Sequence, residues 1–206
     1  MIIFLKKYSP LLTMGVLFLL LFFSCHDDGD DSSNSDNDPT PEPPAGTWID
    51  YNTNLMWEKE IAENSSILYY QWEKAIGYCD SLELAGFSDW RLPTISELRS
   101  LVRGCEATMT GGACGVTDEC TVTDCQNEAC VGCDLLTDAD NEFFWPKELE
   151  RESSTGNEYW SFTELEDHKA MVWTLGFMIA NIEKRDKENI LDSATTTRCV
   201  RTMAAE

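Results

Sequence analysis

Nine cysteines, two histidines and 37 acidic residues are the side chains of this 206-residue chain with chemistry to offer. Cys120, Cys125, Cys130 and Cys133 fall close enough together to hold zinc, which takes thiolates in a tetrahedral set. Only Cys130 and Cys133 have the tight two-residue spacing, and no second such pair accompanies them. Apart from Cys25, the cysteines form an even set: Cys79, Cys105, Cys114, Cys120, Cys125, Cys130, Cys133 and Cys199. An even set in an exported chain suits four disulfides, and this reading is preferred over zinc.

Catalytic chemistry has less to stand on. A Ser-His-Asp hydrolase would need His168, because the other histidine is His26, and no G-x-S-x-G elbow presents a nucleophilic serine. A glycan hydrolase working through two carboxylates is the rival reading, but so many acids always include a pair at a suitable spacing. No cofactor is expected. Calcium is the metal such an acidic chain would suit, and Asp138, Asp140 and Glu142 are the best local cluster, yet the glycine of an EF-hand loop is missing. A solvated loop is the preferred reading there.

A formal net charge of −22 repels nucleic acid, sulfated glycans and anionic lipid surfaces at long range. It points instead to a neutral or cationic glycan or protein as ligand. At the N-terminus, Lys6 and Lys7 precede an apolar run from Leu11 to Phe23 that is short for a membrane span, so residues 1–24 read as an export signal. Ser24-Cys25 resembles the cleavage site of bacterial lipoproteins, although Phe22 and Phe23 depart from the usual residues. Cys25 is the expected lipidation site, which would anchor the protein to the outer membrane or cell surface. Residues 25–45, rich in Asp, Ser and Pro, have little to bury and form an acidic tether. The remainder, residues 46–206, is enough for one domain with its own core.

The periodicities within that domain imply an α+β fold with two helices and a mainly antiparallel sheet. Thr47–Tyr51 and Leu55–Glu58 read as strands around an Asn-rich turn. Trp72, Ala75, Ile76, Cys79 and Leu82 mark a helix from about Gln71 to Glu83, with Gly86 ending it. Pro93 and the capping pattern Thr94-Ile95-Ser96-Glu97 start a second helix reaching about Arg103. Residues 104–140 then lose apolar periodicity and gain six cysteines, the mark of a disulfide-rich insertion. Segments 158–163, 170–175, 177–182 and 196–201 carry the branched and aromatic residues of strands.

Taken together, Leu55-Met56-Trp57, Trp72-x-x-Ala75-Ile76-x-Tyr78-Cys79, Leu84 through Thr94 with Glu97-Leu98, Tyr159-Trp160-Ser161 and Arg198-Cys199-Val200-Arg201 form a joint pattern. It resembles the Lcl C-terminal domain family, named after the C-terminal region of a Legionella collagen-like adhesin. The resemblance covers Gly46 to Thr202 and implies a C-type-lectin-like fold in an exported, non-enzymatic binding or adhesion domain. The family adhesin is associated with sulfated polysaccharides, a ligand class that the acidic charge of this chain opposes. Trp90, Arg91, Pro93, Glu97, Trp160 and Arg201 are expected to be structural members of the motif, with Arg91 paired to a carboxylate and Glu97 capping its own helix. Cys79 is expected to bond Cys199, and the six insertion cysteines to bond among themselves in an arrangement left open. The binding surface is expected on the insertion and the stretch from Tyr159 to Lys169.

Overall fold

The computed structural model describes residues 42–60, 71–134, 144–150, 158–188 and 195–204. The export signal, Cys25, most of the tether, and Asp138, Asp140 and Glu142 lie outside them. Strands β1 (Thr47–Asp50) and β2 (Leu55–Glu58) form a hairpin, with Asn54 at φ 57° supplying the left-handed turn residue. Helices α1 (Trp72–Asp80) and α2 (Ile95–Ser100) follow. After the cysteine-rich insertion come β3 (Glu158–Glu164), β4 (Met171–Gly176), β5 (Asn181–Asp186), β6 (Thr195–Thr196) and β7 (Val200–Thr202). Two sheets result, ordered β1-β2-β7 and β5-β4-β3-β6, antiparallel except where β6 runs parallel to β3. The fold is α+β.

Strand alternation divides the core between two apolar clusters. Leu55 and Trp57 of β2, Tyr159 of β3, and Trp173 and Leu175 of β4 join α2 and the insertion in the larger one. Met56, Trp160 and Val172, from the opposite faces of the same three strands, join Trp72, Ala75 and Cys79 of α1 in the other. These central strands are therefore buried on both sides, and each helix covers a different cluster. The apolar stripe read for the second helix is fully inside: Ile95, Leu98 and Leu101 are 0% exposed and Val102 is 2%.

Both helices stop earlier than the periodicity suggested. Ser81 caps α1, and Gly86, at φ 81°, serves a later turn with Ala85, in which Leu84 and Phe87 bridge. The segment 177–182 is not one strand. Phe177 to Ala180 is a turn, with Ala180 at φ 55°, and the strand proper begins at Asn181. The turn looks strand-like in sequence because its ends are buried: Phe177 packs edge-on to Trp145 and Tyr159, at 4.6 and 5.4 Å between ring centroids, and Ala180 is fully covered, while Met178 between them is 45% exposed. Likewise 196–201 splits into β6 and β7, which belong to different sheets. Between them lie Arg198 and Cys199, whose bonds hold the crossing in place.

Candidate binding face

The insertion begins where α2 ends, and its cysteines close concentrically. Cys105 bonds Cys133, Cys114 bonds Cys130 and Cys120 bonds Cys125, each pair inside the last along the chain. Cys79 bonds Cys199, as the sequence led us to expect. All eight cysteines are thereby committed to disulfides, which leaves none of them for a zinc site.

At the centre of the insertion sits a cation. Arg99 is 2% exposed; its Nε donates to the Thr108 carbonyl at 2.8 Å, and its Nη atoms donate to the carbonyls of Met109 and Gly112 at 3.0 and 3.3 Å and to that of Val116. Guanidinium supplies five donors in a fixed plane, so one side chain can satisfy carbonyls from several turns of a loop that has no ladder of its own. Burial lowers its pKa, but an arginine stays charged at any pH at which the protein is folded. The insertion is also not peripheral. Val116 is 0% exposed, and it packs with Cys105, Cys114, Cys125 and Cys130 into the larger cluster.

Hydrogen bonds then fasten the insertion to α2, to β3 and β4, and to the β3–β4 and β4–β5 connections. The Ser96 amide donates to Asp118 Oδ1 at 3.3 Å, the Asp118 amide returns a bond to Ser96 Oγ at 3.0 Å, and Thr163 Oγ1 donates to the same carboxylate at 3.1 Å. The Thr123 amide donates to both Asp167 oxygens, at 3.0 and 2.9 Å, which holds that carboxyl below its usual range. Trp173 Nε1 and the Glu166 amide share the Thr121 carbonyl, at 3.3 and 3.4 Å. At the far end the Cys133 amide donates to the Ile179 carbonyl at 2.7 Å, and a Cβ on Gly132 would come within 2.0 Å of that same oxygen. Only glycine allows so close an approach. The insertion and the β3–β4 connection are therefore bonded together, with Val131 of the insertion 69% exposed, while Phe162 of β3, 51% exposed, packs on Trp72 of α1. Tyr159 and Trp160, by contrast, are in the core, so the outer part of the 159–169 stretch starts at Phe162.

The motif residues gather elsewhere, at the junction of α2 with β7. Arg91 makes a two-pronged bond to Glu97 at 2.7 and 2.6 Å, and Glu97 also accepts the Thr94 amide at 2.8 Å, completing a capping box. Pro93 offers its carbonyl to the Phe162 amide at 2.7 Å. Arg201 forks onto Asp89 at 2.7 and 3.0 Å and lies 3.8 Å from the Phe87 ring centroid. Trp90 and Trp160 are each 2% exposed.

Two further buried charged groups make contacts that the sequence did not indicate. Arg198 donates to the carbonyls of Glu58, Lys59 and Glu60 at 3.0, 3.0 and 3.4 Å and to that of Glu150, clamping the strand end after β2. Glu58, 6% exposed, accepts the Tyr78 hydroxyl and, at 3.2 Å, the Cys199 amide. Burial raises the Glu58 pKa against the opposing pull of Tyr78 and Arg198. The folded state thus holds this proton more tightly than the unfolded one. Its contribution favours the fold at pH below the ordinary carboxylate pKa and fades as pH rises through the raised value. Glu58→Gln is therefore expected to gain stability relative to the parent chain as pH increases from about 4 to 8, read by urea denaturation at each pH. A constant difference across that range would contradict the burial argument. Glu58 is thus buried with both carboxylate oxygens hydrogen-bonded.

Among the described residues no three His, Cys, Asp or Glu side chains converge on a metal site, and no helix is long and apolar enough to cross a membrane. The fold and the stapled surface define a disulfide-rich α+β domain built around a preformed loop face. The chain belongs to the Lcl C-terminal domain family, whose model matches residues 46–201. Neither a curated protein nor a solved structure matches it.

Proposed function

We propose that this is an exported, lipid-anchored envelope protein whose domain binds a neutral or cationic glycan or protein without turning it over. The observation that carries the reading is the clamped insertion: three nested disulfides and Arg99 fix its backbone, and the β3–β4 connection is bonded along it. A loop already fixed in shape loses little conformational entropy on meeting a partner, which is how loops on a rigid scaffold gain affinity. The net charge of −22 supports a partner that is uncharged or positive. Family membership and the signal-like N-terminus support a role at the cell envelope, with Cys25 as the anchor and the outer membrane or surface as the place. No cofactor is assigned; calcium at Asp138, Asp140 and Glu142 is not part of the reading.

Excising the insertion would be a poor test, because Cys105, Val116 and Cys125 belong to the core. The full chain should instead be applied to an array of neutral, amine-bearing and sulfated glycans and basic proteins, with the bound ligands then incubated and checked for products. Saturable binding to neutral or cationic ligands is expected, weakening with salt for the cationic ones and leaving every ligand intact. Cleavage of any glycan or peptide would overturn the binding reading in favour of a carboxylate enzyme on the same scaffold.

A further inference from the structure

The innermost bridge of the insertion differs from the other three in the length of chain it closes. Cys120 and Cys125 are 5 residues apart, against 16, 28 and 120 for the other pairs. A crosslink restrains the unfolded chain less when its loop is short, so this is the bridge whose opening costs the fold least. Access favours it too. Cys79, Cys105 and Cys199 are fully covered and Cys114 and Cys130 nearly so, whereas Cys120 is half-buried and Cys125 is 6% exposed. Cys133 is half-buried as well, but its partner Cys105 takes a hydrogen bond from Thr108 Oγ1 at 3.4 Å inside the larger cluster. An attacking thiolate needs room to reach one sulfur and water near the other to receive the departing thiolate, and fully covered sulfurs offer neither.

The residues that this bridge encloses, Thr121 to Asp124, bond the insertion to its neighbours. The Thr121 carbonyl takes the Glu166 amide and Trp173 Nε1, and the Thr123 amide donates to both Asp167 oxygens. Their path is a tight turn in which the Cys125 amide donates to the Val122 carbonyl at 3.0 Å, and the disulfide closes that turn. Arg99 gathers carbonyls from Thr108 to Val116, upstream of it, and the two outer bridges begin and end outside it. Those clamps stay in place when Cys120 and Cys125 part.

We propose that Cys120–Cys125 is a redox switch: a dithiol reductant opens it ahead of the other three bridges, and opening frees Thr121 to Asp124 from Glu166 and Asp167 while the domain stays folded. One thiolate of the reductant attacks Cys120 Sγ, the bond to Cys125 Sγ breaks, and its electron pair leaves with Cys125, which takes up a proton. The second thiol of the reductant then loses its proton and attacks the mixed disulfide. Cys120 departs as a thiol and the reductant as a disulfide, so two electrons and two protons have passed to the protein. Oxidation of the two thiols closes the turn again. The switch lies on the face assigned to binding but is read without a ligand, so its failure and that of the binding reading are distinguishable.

The natively folded full chain should be titrated with dithiothreitol, trapped with iodoacetamide and mapped by peptide mass. Cys120 and Cys125 are expected to be alkylated together at about tenfold less dithiothreitol than any other cysteine requires. In that species the Thr123 and Glu166 amides should exchange about tenfold faster or more, while the sheet amides of β4 keep the parent rate. Cys120→Ala combined with Cys125→Ala should show the same two fast amides without reductant, and no thiol should appear in it at the lower concentration. Earlier opening of Cys105–Cys133 or Cys114–Cys130, or opening of all four bridges together, would overturn the switch. Unchanged exchange of Thr123 and Glu166 in the reduced species and in the double variant would overturn it as well.

Discussion

Replacing Cys79 and Cys199 together by alanine is expected to cost about 5 kcal/mol of folding stability, more than removal of any other disulfide. This bridge spans 120 residues, whereas the three in the insertion span 28, 16 and 5. Under the chain-entropy relation the shorter loops contribute about 3.6, 3.1 and 2 kcal/mol, so the ranking follows from loop length alone. Location adds to it. Cys199 lies on the crossing between the two sheets, its amide bonds Glu58, and its neighbour Arg198 clamps the chain after β2. Both cysteines are 0% exposed, and alanine avoids leaving an unpaired hydroxyl in their place. Equilibrium denaturation without reductant measures the effect. A loss below about 1 kcal/mol would mean that the packing around α1, not the crosslink, restrains the unfolded chain.

The second large effect is expected at Arg99. Arg99→Met keeps an unbranched side chain of similar reach but removes every donor, leaving the carbonyls of Thr108, Met109, Gly112 and Val116 without that partner. Each unsatisfied buried acceptor costs about 1 to 3 kcal/mol, and partial relaxation toward water lowers the total. A net loss of about 3 to 5 kcal/mol in urea denaturation is the expected result. Arg99→Lys should recover part of it, since an ammonium keeps three donors but not the planar fork. Because the disulfides survive the substitution, the damage should concentrate between Cys105 and Cys133. A change below about 0.5 kcal/mol in Arg99→Met would show that water replaces the guanidinium without cost.

Those two cases also mark what could and could not be read from the chain. Pairing of Cys79 with Cys199 was legible because each stands in one of the two motifs, Tyr78-Cys79 and Arg198-Cys199, that carry the family resemblance. The α2 capping box was legible because Thr94 and Glu97 have the spacing that reciprocal capping requires. Arg99 was not, since an arginine in a short amphipathic helix looks like an ordinary solvated charge, and its partners are backbone carbonyls that any sequence would supply. Arg198 was visible as a motif residue, but its carbonyl partners were hidden in the same way, and Glu58 looked like the polar end of a strand. The insertion's own contribution to the core escaped notice because apolar periodicity is a signal of regular elements, and Val116 sits in an irregular one. The 177–182 segment erred in the opposite sense: a turn made of Phe177, Met178, Ile179 and Ala180 is as apolar as a strand, and the left-handed Ala180 marks it as a turn. The insertion and the β3–β4 connection were expected to lie together, but the bonds that join them, such as Thr123 to Asp167, depend on residues far apart in the sequence.

A surface that is in shape before any partner arrives must protect its own amides, and hydrogen exchange of the free, full-length chain measures that most directly. In the parent protein the amides of Cys114, Cys133, Thr123 and Glu166, each bonded within or across the face, should exchange slowly, on the scale of the sheet amides of β3 and β4. In Arg99→Met the insertion amides should become fast while those of β4 remain protected. Exchange of the parent insertion at the rate of an unstructured peptide, with the sheet still protected, would contradict the claim that this protein meets its partner with a surface already in shape.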